Sequence, residues 1–108
     1  MTWSVFLTDD AARDLSELYE YIARHDSPGK ADNVLDRIEK TFESLSESPE
    51  RGPWPKELLE LGIKDFRELF FKPYRIIYRI IGPSVYVLVI ADGRRDMATL
   101  LERRLLQG

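Results

Sequence analysis

Arg67, Arg75, Arg79, Arg94 and Arg95 are the side chains here whose type and spacing could do chemistry. Three of them interrupt the apolar stretch FRELFFKPYRIIYRI, residues 66–80, and two sit in DGRRD, residues 92–96. A guanidinium offers forked donors that suit phosphates and carboxylates. Several on one surface would grip a phosphate backbone or a carboxylate-rich segment. The alternative is a wet sheet face on which they pair with Glu68, Asp92 and Asp96 and contribute little. Leu69, Ile77 and Ile81 are interleaved with them, and arginine mixed with branched aliphatics is the composition of a protein interface.

Other chemistries find little support. There is no cysteine and one histidine, so thiolate and multi-histidine metal sites are excluded. His25 falls at the predicted end of a helix, where an imidazolium interacts favourably with the helix dipole. No Walker loop or GxGxxG is present, and no cofactor or metal is expected. Most carboxylates sit on predicted outer helix faces, where solvation accounts for them.

The 108 residues fit one domain, 1–108, and 44% hydrophobic residues can fill its core. The net charge of −3 is unevenly spread. Residues 1–62 hold 7 Lys/Arg and 14 Asp/Glu, and residues 63–108 hold 9 and 5, giving −7 and +4. An acidic first half discourages non-specific nucleic-acid binding, while the basic second half suits an acidic partner. The N-terminus lacks a basic segment followed by a long apolar run. No apolar stretch approaches the roughly 20 residues that span a bilayer. A cytoplasmic protein with no membrane contact is expected.

The arginines need elements to position them. Trp3 to Leu7 alternates as a short strand. Thr8-Asp9-Asp10 supplies caps for a helix to about Arg24, with Leu15, Leu18, Tyr19 and Ile22 on one stripe. Ser27-Pro28 opens a second helix to about Ser46, whose buried stripe is Ala31, Val34, Leu35, Ile38, Phe42 and Leu45. So short a connection makes an antiparallel hairpin. Residues 48–55 carry three prolines and a glycine and form a loop, followed by a helical turn from Glu57 to Leu61. After Gly62 the period becomes two. Strands are predicted at Phe66–Phe71, Tyr74–Ile81 and Val85–Ala91 in an antiparallel meander, and a short helix at Met97–Leu106. The class is α+β. Tyr74, Ile76, Tyr78 and Ile80 should pack on the hairpin. Arg75, Ile77, Arg79 and Ile81 then face the side that the hairpin leaves uncovered.

The order and spacing of DLSELYEYIARHDSP (14–28), LSESPERG (45–52), REL (67–69), YRIIYRI (74–80) and DGRRDMATLLERRL (92–105) resemble the RelE/ParE superfamily. Its members are toxins of bacterial type II toxin–antitoxin modules, often labelled plasmid stabilisation proteins. The resemblance covers nearly the whole chain. It implies a helical hairpin against an antiparallel sheet. It also implies a hetero-oligomer with a cognate antitoxin whose C-terminal segment wraps the toxin. One branch cleaves mRNA on the ribosome; the other inhibits DNA gyrase and blocks replication.

In the ribonuclease branch, basic residues stabilise the scissile phosphate and a Tyr or His near the C-terminus assists proton transfer. Arg75 matches one basic position and Arg95 a second. The lysines of the preceding strand have no counterpart, since that region reads Phe66, Arg67, Glu68. The proton-transfer position falls near Leu100 or Leu101. These departures and the acidic total favour the gyrase inhibitor, with the ribosome-dependent endoribonuclease as the alternative and a degenerate, non-toxic member as a third possibility. The binding set for antitoxin or target is then Arg67, Leu69, Arg75, Ile77, Arg79, Arg94, Arg95 and Leu101, and Arg75→Glu should weaken antitoxin binding more than Glu39→Ala.

Overall fold

A computed structural model describes residues 2–107. Strand β1 (Ser4–Leu7) leads into helices α1 (Asp9–His25) and α2 (Pro28–Glu43). Both helix starts are capped as their sequences require. The Thr8 hydroxyl accepts from the Ala11 N–H, and the Ser27 hydroxyl accepts from the Lys30 N–H with Pro28 in the first turn. Helix α2 tightens into a 3₁₀ turn over Ser44–Ser46, so its regular part ends a little before the predicted limit. A short helix α3 (Lys56–Leu59) precedes strands β2 (Arg67–Phe71), β3 (Tyr74–Ile81) and β4 (Ser84–Asp92). Helix α4 (Met97–Leu101) continues as a π-helical turn over Glu102–Leu106. No helix among the described residues is long and apolar enough to cross a membrane.

The sheet order is β1-β4-β3-β2. Strands β2, β3 and β4 form the expected antiparallel meander, and β1 adds to β4 in parallel. One face carries Ile76, Tyr78, Val85, Val87 and Ile90 against Leu15, Ile38 and Phe42 of the hairpin. Tyr74 and Ile80 pack on the same core. Burying such side chains is the main favourable term in the fold, at roughly 1.5–3 kcal/mol each.

The second face departs from expectation. Half of it is covered, by α3 and α4. Leu58, Met97, Leu100 and Leu101 close over Phe66, Ile77, Val89 and Ala91 as a separate buried core. The other half stays open, with Phe6 and Ile81 about half exposed.

Strand β1 stops opposite Val87, and the rest of β4 finishes its hydrogen bonding with side chains. Asp14 of α1 accepts from the Ile90 N–H at 3.0 Å, and Arg104 donates to the Leu88 carbonyl at 2.9 Å. The two side chains also form a fork–fork ion pair at 3.0 Å on both arms. Register shifts here too: Ile77 faces Val89 and Tyr78 faces Val87, leaving Leu88 as a bulge. Asp14→Ala should therefore destabilise the protein by about 1–2 kcal/mol, since it strands a charged group and a backbone donor. It should also speed proteolysis after Leu101. Unchanged denaturation and digestion would show that the C-terminal turn is held by packing alone.

Candidate functional site

Arg75 opens β3 beside Glu68 of β2, whose register makes the two diagonal neighbours. Its Nε donates to Glu68 Oε1 at 2.7 Å. Its two terminal nitrogens donate to Glu57 Oε2 and Oε1, each at 2.8 Å. Arg75 and Glu68 are 8% and 4% exposed, so this is an internal cluster. The four-residue helix α3 delivers Glu57 by docking Leu58 in the second core. On the other side a Cβ at Gly93 would stand 2.7 Å from Arg75 Cδ, so the arginine's stem fills the space that glycine leaves. The hydrogen bonds from Arg75 hold the Glu57 carboxyl below its usual range. Burial pushes the Glu68 carboxyl up, against the pull of Arg75. Hydrogen bonds from Glu57 in turn hold the Arg75 guanidinium charged well beyond its ordinary range.

The expected binding set is thus redistributed. Arg75 is locked in ion pairs inside the protein and presents no fork to a partner. Ile77 and Leu101 are fully buried in the second core, and Leu69 is 8% exposed in the first. Arg75, Ile77 and Leu101 are withdrawn from the surface because α3 and α4 close over the half-face that carries Arg75 and Ile77, and Leu69 because it lies on the other face, under the helical hairpin. Arg67 lies on the hairpin side of the sheet. It donates to the carbonyls of Glu50 and Gly52 at 3.0 and 2.9 Å. Arg79 is exposed over the Phe66 ring at 5.7 Å. Arg94 is exposed but doubly bound to Asp92, whose carboxyl it holds below its usual range. Arg95 is exposed and makes no ion pair among the described residues.

The arginines that stay outside the cores separate into two places, with Arg67 half-buried. Arg67 and Arg79 line one cavity of about 240 Å³. Arg94 and Arg95 line another of about 380 Å³, between α1 and the end of β4. A third cavity, about 310 Å³, occupies the open half-face, where Ile81, Tyr86, Leu88 and Leu105 are flanked by Arg79 and Arg104. Phe6 stacks on Tyr86 at 5.6 Å beside it. Sequence reasoning placed Ile81 on the uncovered face but passed over the rest of this floor, Phe6, Tyr86, Leu88 and Leu105, and over Glu57. Phe6 alternates out of phase with Trp3, Val5 and Leu7, which was the available signal for the floor. No local pattern signals Glu57, which sits 18 residues from its partner.

A helical hairpin on a four-stranded sheet, closed by a short C-terminal helix, is the architecture of the RelE/ParE superfamily of toxins. The fold superposes on a chain of the chromosomal ParDE toxin–antitoxin system from P. aeruginosa with a TM-score of 0.71 (22% identity, 84% of this chain and 96% of that one). It superposes on a chain of the RelBE2 toxin–antitoxin complex from Mycobacterium tuberculosis with a TM-score of 0.62 (23% identity, 85% and 99%). The free E. coli toxin RelE, in an arginine-to-alanine double mutant, gives 0.64 (17% identity, 97% and 100%). In sequence, the chain is 30% identical to Toxin ParE3 of Caulobacter vibrioides over 100 residues, covering 93% of this chain and 96% of that protein. The family model for the ParE toxin of the type II toxin–antitoxin system parDE matches residues 5–97. The chain belongs to the ParE toxin family.

Proposed function

We propose that this toxin acts by binding DNA gyrase and blocking replication, and that a cognate antitoxin neutralises it by occupying the open half of the sheet. The state of Arg75 carries the choice of target. In the ribonuclease branch the matching arginine would face a scissile phosphate. Here two carboxylates occupy its donors at 2.7–2.8 Å, and an RNA phosphate would have to displace both against their charge. Leu100 and Leu101, where the proton-transfer position falls, are both buried and have no group that can move a proton. Stabilising a phosphorane and shuttling its proton need both functions at one surface. A toxin that works by docking needs neither.

The antitoxin surface follows from what remains open. Phe6, Ile81, Tyr86 and Leu105 offer an apolar floor with Arg79 free at its rim, while Arg104 lines it already paired with Asp14. That arrangement suits an amphipathic segment with apolar anchors and acidic flanks.

The test compares two reactions. Purified toxin should abolish gyrase supercoiling while a translation extract keeps its message intact by primer extension. Codon-positioned cuts with normal supercoiling would reverse the assignment in favour of the endoribonuclease. Inactivity in both, with retained antitoxin binding, would mark a member that has lost its toxicity.

A further inference from the structure

The loop before β2 holds an aromatic side chain in a setting that neither the ion-pair cluster nor the open half-face uses. Trp54 is 38% exposed, in a loop fixed by Pro49, Pro53 and Pro55 and by Tyr78, whose hydroxyl donates to the Pro49 carbonyl and accepts from the Gly52 N–H. Two cations lie over its ring: Lys64 Nζ at 4.9 Å and Arg67 Cζ at 5.7 Å. A cavity of about 410 Å³ lies beside the ring, lined by Arg51, Pro53, Trp54, Leu59 and Arg67 together with Glu50 and Gly52. The cavity of about 240 Å³ adjoins it, because Arg67 lines both; its other walls are Lys64, Asp65, Arg79 and Ile80. Arg51, Lys64, Arg67 and Arg79 make no ion pair among the described residues, whereas Arg75, Arg94 and Arg104 do. Glu50 and Asp65 are the acidic side chains lining the two cavities, so the strip is net basic on a protein whose total charge is −3.

We propose that this strip binds a short stretch of single-stranded nucleic acid. A base enters beside Trp54 and stacks on its ring, and the phosphates follow Lys64, Arg67 and Arg79. An aromatic face flanked by cations is the recurring device for single strands, because every base has a π-face and every linkage one charge. Arg67 is already oriented by the carbonyls of Glu50 and Gly52, both held by one terminal nitrogen. Its Nε and second terminal nitrogen remain for a phosphate. Lys64 is an exposed, flexible side chain, so its ammonium can leave the ring for a phosphate and open the ring face to a base. An acidic peptide would use the cations and leave the ring idle. The ring in the wall of the larger cavity, with Arg67 leading from it into the smaller one, is what favours a nucleic acid. The strip is separate from the proposed antitoxin floor except for Arg79, and its test does not depend on which enzyme the toxin inhibits.

The experiment titrates the full chain into fluorescein-labelled oligo(dT) of about 12 nucleotides, within the 4–16 typical of such sites, and follows anisotropy. Neutralising three to four phosphates predicts that affinity falls roughly 20- to 50-fold between about 50 and 200 mM salt. Trp54→Ala should weaken binding by about tenfold or more, and Trp54→Phe should restore most of it. Lys64→Ala and Arg79→Ala should each weaken binding and flatten the salt dependence, while Lys40→Ala, the same charge change on α2, should leave it unchanged. No binding at the lower salt overturns the proposal. So does an undiminished affinity in a folded Trp54→Ala variant, or displacement of the oligonucleotide by an equally long polyglutamate at lower concentration than by unlabelled oligo(dT).

Discussion

Arg75→Ala is expected to destabilise the protein by about 3–5 kcal/mol, the cost of leaving buried charges without their partner. Two carboxylates, Glu57 and Glu68, would then face each other across the vacated space, and Glu68 is too deeply buried to turn to water. Glu68 is 4% exposed, and Glu57 is placed by the packing of Leu58 beneath it. The loss should be read in denaturant midpoints and in the release of α3 to protease. A paired experiment separates charge from packing. Changing Glu57, Arg75 and Glu68 together to Leu, Met and Leu should recover most of the stability, because a well-packed apolar replacement of a buried ion pair is often neutral or better. If Arg75→Ala alone unfolds at the wild-type midpoint, the cluster is not internal in solution. The same geometry revises what Arg75→Glu would report. Three carboxylates cannot share that site, so loss of antitoxin binding in that variant would follow from loss of the fold. Arg79→Glu, at an exposed side chain, is the change that tests the antitoxin surface while leaving the internal ion-pair cluster intact.

Gly52→Ala is the second large effect, at about 3 kcal/mol, the upper part of the range for overpacking. A Cβ there would stand 2.6 Å from the Tyr78 hydroxyl and closer still to the Glu68 carbonyl oxygen. A backbone oxygen on a paired strand has nowhere to go, so the loop itself must shift. The loop is tied down from below: Tyr78 is fully buried, and its hydroxyl donates to the Pro49 carbonyl at 2.6 Å and accepts from the Gly52 N–H at 3.1 Å. Tyr78→Phe removes both bonds and leaves two buried backbone groups unpaired, for a smaller loss of about 1–3 kcal/mol. The two changes disturb the same contact, so the double variant should lose clearly less than the sum. Strict additivity, measured by chemical denaturation, would mean that the hydroxyl and the glycine act independently.

The parts of the fold with long, regular periodicity were legible in the sequence. The stripe through Ile38, Phe42 and Leu45 repeats over four turns, and the alternation from Tyr74 to Ile81 selects the face that meets it. The second layer was not legible, for a physical reason. Helices α3 and α4 span four and five residues, too few turns for an apolar stripe to show which way they face. Whether Leu58 and Leu101 lie on the surface or under it depends on where a proline-rich loop and a glycine turn deliver them. The arginines suffered most from this. Their alternation put Arg75 and Arg79 on one face correctly. Two short helices then divided that face, burying the first and leaving the second in water. Glu68 was visible in the sequence as a possible partner for the arginines, being on the neighbouring strand. Glu57, across a loop from Arg75, was not.

The position of β4 has a consequence for how the toxin is made. It joins β1 to β3, and it supplies Val85, Val87 and Ile90 to one core and Val89 and Ala91 to the other. Every strand it binds is synthesised before it. Until residues 84–92 emerge, the hairpin has only part of a sheet to rest on, and the N-terminal strand has no neighbour. The fold therefore gains its cooperative structure only once residues 84–92 are available to join the sheet. Before β4 docks, neither core is complete, and a neutralising protein already present could meet the toxin as it closes.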